Sequence, residues 1–139
     1  MINVDDSAHH LKVLVIDDRA EVARAIAEMC ETLGVSADIS HDGEVVRDML
    51  TRSQPSGVII DVIMPDEDGY EALKVVAEFN RNLPVLLISG HGLTWLRVGA
   101  SLARAYGLSH VITGSKPIPM AMLADFVGKI RSEAPNTQL

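Results

Sequence analysis

Val58-Ile59-Ile60-Asp61 is an unbroken apolar run that stops on a carboxylate. Three more runs share this form: Val13 to Ile16 meets Asp17 and Asp18, Val85 to Ile88 meets Ser89, and Val111 to Thr113 leads toward Lys116. The segments between them carry apolar residues at helical spacing. Short runs that are apolar throughout, alternating with helices, predict a parallel sheet covered on both faces. The chain therefore reads as an α/β protein, a doubly wound, five-stranded (βα)5 sheet. In open sheets of this kind ligands bind outside the carboxyl ends of the strands. Acids, a hydroxyl and a lysine are thus expected at one site.

Working outward, Val22, Ile26, Met29 and Leu33 recur at helical spacing with Gly34 as the stop, and Val35 to Ile39 reads as a short strand. Asp42 is placed to cap a second helix containing Val45, Val46, Met49 and Leu50. Tyr70, Leu73, Val76 and Ala77 predict a third helix ending near Asn80, before Pro84. A fourth is expected over Thr94 to Tyr106, with Leu96, Val98, Leu102 and Ala105 as its apolar residues. Leu123, Phe126, Val127 and Ile130 define the fifth. The domain is expected over residues 11–132, with flexible tails at 1–10 and 133–139.

At 139 residues the chain suits one domain with one substantial core. A formal net charge of -7 disfavours generic attraction to nucleic acid or to anionic membranes, which leaves protein or cation as the expected partner. Cys30 is the single cysteine, so no internal disulfide is possible and a reducing, cytoplasmic setting is expected. No apolar stretch approaches the roughly 18 residues a membrane span needs.

Three aspartates at one rim repel one another, which raises a pKa or demands a counterion. A hard cation such as Mg2+ takes oxygen ligands of this kind and keeps waters that a phosphate can replace. Beside such a cation an aspartate is a competent nucleophile toward phosphorus, while a serine hydroxyl and a lysine ammonium hold the remaining oxygens. Each residue also has a plainer reading. Asp17 and Asp18 suit a helix N-terminus, Asp61 a turn, Ser89 a loop and Lys116 an exposed surface. Their shared position after four strands favours the site. Asp66, Glu67 and Asp68 read as a solvated loop and helix start, outside it. An aspartyl phosphatase would carry a second acid two residues after its nucleophile, where this chain has Ile63.

An acid pair after the first strand, Asp61-Val62-Ile63-Met64-Pro65-Asp66-Glu67-Asp68-Gly69-Tyr70 after the third, Ser89-Gly90 after the fourth and Lys116-Pro117 after the fifth follow one another in a specific order and spacing. In these pieces the chain resembles the receiver domains of two-component response regulators, from Lys12 to Ile130. The resemblance implies a flavodoxin-like strand order 2-1-3-4-5 and a cis bond at Lys116-Pro117. It makes Asp61 the phosphoacceptor, with Asp18, Asp61 and the backbone carbonyl of Ile63 ligating Mg2+ directly and Asp17 acting through a bound water. Ser89 is then the switch hydroxyl, Lys116 the phosphoryl contact, Gly90 the small residue that keeps access open, and His91 occupies a position that tunes phosphoryl lifetime. Implied partners are a sensor histidine kinase or phosphotransfer protein, an output domain or protein target, and a second copy through the fourth and fifth helices. A receiver catalyses only its own phosphorylation and dephosphorylation. Two features depart from the family pattern: Thr113 stands where an aromatic residue usually reports phosphorylation, and the stretch from Gly92 to Gly114 is longer than usual. They leave a second reading open, a binding module that signals without phosphorylation. Trp95 has two readings as well, a partner anchor or a side chain packed beneath the fourth helix.

Overall fold

Adjacent strands lie in step: Ile16 pairs with Ile60, Asp61 with Ile88 and Ser89 with Ser115. A computed structural model describes residues 11–40, 45–62 and 69–133. Among these, β1 (Lys12–Ile16), β2 (Ser36–Ile39), β3 (Gly57–Asp61), β4 (Val85–Ser89) and β5 (Val111–Ser115) form a parallel sheet in the order β2-β1-β3-β4-β5. The helices are α1 (Ala20–Thr32), α2 (Val46–Ser53), α3 (Gly69–Phe79), α4 (Leu93–Ala105) and α5 (Met120–Glu133). Both the (βα)5 architecture and the strand order agree with expectation. No helix among the described residues is long and apolar enough to cross a membrane.

Successive side chains of a strand point to opposite faces, so an unbroken apolar run feeds two cores. Leu14, Ile16, Val58, Ile60, Val85 and Leu87 face one core, closed by buried residues of α2, α3 and α4. Val13, Val15, Ile59, Leu86 and Ile88 face the other, closed by α1 and α5. The same in-step pairing carries the carboxyl ends of β1, β3, β4 and β5 to one rim.

Three details differ from the sequence reading. On α1 the fully buried face is Ala23, Ile26, Ala27 and Cys30, while Val22, Met29 and Leu33 are only partly covered. Small alanines bring the helix close to the sheet, and the larger side chains are left at its flanks. Burial there pushes the Cys30 thiol up to about 11, with Glu31 adding to the shift. On α2 the cap residue is Val45, which makes no side-chain cap bond; Asp42 lies outside the described residues. On α4 the buried face is Leu96, Gly99, Ala100 and Ala103, and Val98 is exposed. Trp95 is 45% exposed, so it is not packed beneath the helix.

Candidate functional site

At the carboxyl rim, Asp17, Asp18 and Asp61 each offer a carboxylate oxygen within 4.8 Å of the others. Asp17 and Asp61 are 3% exposed, and Asp18 is open to solvent. Lys116 reaches across from the end of β5, its Nζ 3.0 Å from Asp17 Oδ2 and 2.9 Å from Asp61 Oδ2. The other oxygen of Asp17 accepts the backbone N–H of Arg19 at 2.9 Å. Asp17 therefore serves the turn into α1 and the acid cluster together. Arg19, not either aspartate, is the helix N-cap residue.

The cluster sets three carboxylates against one ammonium. Burial works against the Lys116 charge, but the hydrogen bonds it donates to Asp61 and Asp17, with the attraction of both carboxylates, outweigh it and hold the ammonium above its ordinary pKa. The Asp18 carboxyl is held above its usual range, first by loss of water around it and then by repulsion from Asp17, with Asp61 adding to the effect. Asp18 is thus a carboxylate whose charge the fold opposes. A divalent cation among these oxygens would reverse that opposition, and the donor set, all oxygen and mostly charged, suits a hard ion.

Ser89 is wholly buried. Its Oγ accepts the backbone N–H of His91 at 3.0 Å, and its carbonyl accepts the N–H of Lys116 at 2.9 Å, which ties the ends of β4 and β5 together. The Lys116-Pro117 bond is cis. Gly69 opens α3 directly against the site, since a Cβ there would lie 2.6 Å from the Asp61 carbonyl oxygen. The structure thus gathers Asp17, Asp18, Asp61 and Lys116, with Ser89 buried at the adjoining strand end. Ile63 lies outside the described residues, as do Asp66, Glu67 and Asp68.

A cleft of about 650 Å3 opens beside the acids, with Asp18, Asp61, Lys116 and His91 at its polar end and Val22, Met29 and Ile118 along its apolar wall. Sequence periodicity placed Val22 and Met29 only as apolar positions of one helix and gave no sign of this wall. The signal was the pair of alanines on the neighbouring face of α1. Thr113 is exposed and borders a second cleft of about 490 Å3 between α4 and β5, with Leu93, Arg97 and Arg104 on its α4 side.

Residues 13–125 match the family model described as the response regulator receiver domain. The C4-dicarboxylate transport transcriptional regulatory protein DctD of Pseudomonas aeruginosa is 32% identical over 116 residues, which cover 84% of this chain and 24% of that protein. The response regulator MprA of Mycobacterium avium is 29% identical over 79 residues, 57% of this chain and 35% of its own length. The chain thus spans about a quarter to a third of the length of these curated relatives. Among solved structures, the receiver domain of a Francisella response regulator superposes with a TM-score of 0.71 at 25% identity, covering 91% of this chain and 100% of that one. Vibrio cholerae CheY4 shares the fold, with a TM-score of 0.73 at 20% identity over 87% of this chain and 98% of its own.

Proposed function

Because the chain belongs to the response regulator receiver domain family of two-component systems, we propose that it is a phosphoryl-accepting switch with Asp61 as its acceptor. Members of this family are signalling domains rather than conventional enzymes. The observation that carries the reading is the buried Asp61 carboxylate, held by Lys116 at 2.9 Å beside Asp17 and Asp18 at the mouth of an open cleft. The donor is the phosphohistidine of a sensor histidine kinase or of a phosphotransfer protein. Reaction takes place in the cytoplasm.

Asp18 and Asp61, with the Ile63 carbonyl, would hold Mg2+, and Asp17 would reach it through water. Bound there, the cation supplies charge neutralisation for the incoming phosphoryl oxygens. The Asp61 oxygen attacks phosphorus as the donor imidazole leaves. Lys116, already aimed at Asp61, holds one phosphoryl oxygen. Ser89 turns its hydroxyl inward to another, and the population shifts only as far as the phosphoryl contacts differ between the two arrangements. Attack by water on phosphorus later breaks its bond to the Asp61 oxygen, releasing inorganic phosphate and restoring the carboxylate. Output passes to an attached domain or a protein target, and a second copy pairs through α4 and α5.

Intact mass after incubation with a small phosphodonor and Mg2+ tests the assignment. One base-labile phosphoryl adduct on wild type, absent from Asp61→Ala, is expected; an adduct that persists in the variant refutes Asp61 as acceptor. Exposed Thr113, in place of an aromatic side chain, favours the second reading, a module that binds its partner without phosphorylation. Under that reading wild type binds no beryllofluoride in the presence of Mg2+.

A further inference from the structure

An aromatic side chain joins α3 and α4, although residue 113 carries none. Tyr70, the second residue of α3, donates its hydroxyl to the backbone carbonyl of Trp95 in the first turn of α4, at 2.9 Å. Its ring rests on Gly99. A Cβ at that position would lie 3.3 Å from Tyr70 Cε1, 3.2 Å from Val62 Cγ1 and 3.2 Å from Leu87 Cδ1. One glycine of α4 therefore receives the tyrosine ring, the residue that follows Asp61, and a residue of β4. Gly69, next to Tyr70, lies against the Asp61 carbonyl.

The first turn of α4 is also connected to the site from its other side. Ser89 Oγ accepts the N–H of His91, and α4 begins just after Gly92, whose φ of 103° lies in the region that favours glycine and whose side is open. No side-chain cap holds this end of the helix. A shift of Ser89 toward Asp61 therefore moves His91 and reaches α4 through a compliant joint. The Trp95 carbonyl has its helical N–H partner four residues on, so it can lose the tyrosine without unwinding the helix. The bond is exposed to water, which solvates both groups when they part, and its net contribution is correspondingly small.

We propose that the Tyr70–Trp95 hydrogen bond is a latch that holds the first turn of α4 in the unphosphorylated arrangement, and that drawing Ser89 toward a phosphoryl group opens it. This inference rests on the receiver reading and names how that site is regulated. Coupling is reciprocal: a bond made only in the resting arrangement weakens phosphoryl binding by the same factor that phosphoryl binding weakens the bond.

Trp95 is the only tryptophan, so its emission reports on the latch. Beryllofluoride is titrated with Mg2+ into wild type and Tyr70→Phe, and phosphoryl adducts are weighed for both. Wild-type emission should change on saturation. Tyr70→Phe should begin part of the way toward that emission and reach half-saturation at about 2-fold lower beryllofluoride, the factor for a hydrogen bond at the weak end of the usual range. A wild type that takes the adduct while Tyr70→Phe shows unchanged emission, or unchanged or weaker beryllofluoride binding, overturns the latch and leaves the receiver reading standing. A wild type that takes neither adduct nor beryllofluoride removes the receiver reading and the latch with it.

Discussion

Asp18 is a carboxylate whose charge this fold opposes. Its carboxyl titrates above its unfolded value because of lost hydration and the neighbouring Asp17, so the folded chain binds its proton more tightly than the unfolded chain does. The sign follows: the contribution of Asp18 to stability falls as pH rises from about 4 through the folded pKa. Asp18→Asn removes that loss. Without metal, the variant should melt above wild type at neutral pH, with the gap closing toward pH 4; Mg2+ should raise the wild-type midpoint and not that of the variant. A variant that melts with wild type at neutral pH, or gains equally from Mg2+, contradicts this account. Lys116 has the same sign, since its pKa is raised too, but its window lies higher: its contribution stays whole until strongly alkaline pH and is lost only there. At this scale the sequence was legible where a polar residue closes a strand, as Asp61 and Ser89 do. The double duty of Asp17 was not legible, because both of its readings are true: one oxygen serves the turn and the other Lys116.

Among the elements, α1 and α4 place small residues against the sheet and leave larger apolar ones at their flanks. Periodicity of the large side chains therefore finds only part of the buried strip, Ile26 in α1 and Leu96 in α4, and misses the small residues beside them. In α5 it points correctly, because Leu123, Phe126, Val127 and Ile130 are all buried. The strand beneath supplies the space: a Cβ on Gly57 would lie 2.6 Å from Ile130 Cδ1 and 3.3 Å from Phe126 Cζ. No local pattern tells a helix whether its sheet offers a hollow or a wall. The two faces of α1 separate under mutation. Ile26→Ala, at 4% exposure, should cost about 2–5 kcal/mol in chemical denaturation, whereas Met29→Ala, half-covered beside the cleft, should cost under about 1.5 kcal/mol. Equal losses would return Met29 to the core.

At the scale of the molecule, parallel pairing and the gathering of the acids and Lys116 at one rim were legible, because apolar runs of strand length with a polar residue at each end are local signals; the strand order came from the family resemblance. The clefts were not: the larger is lined by residues from α1 and from the far ends of β3, β4 and β5, and the smaller, between α4 and β5, depends on how closely that helix packs, which no local pattern states. The in-step pairing has a further consequence. With the acid cluster and Lys116 at the carboxyl rim, the amino rim takes the turns that close α1, α2 and α4, where Gly34, Gln54 and Gly107 adopt positive φ of 83°, 50° and 99°. Short insertions after these three residues should preserve both folding and phosphoryl uptake, whereas insertions after Asp17 or Ser89 should abolish uptake; a scan that finds no difference between the rims would refute this division. The fold is then polarised like a tool, with a working edge that fixes its residues and a grip on which new sequence can be mounted without blunting it.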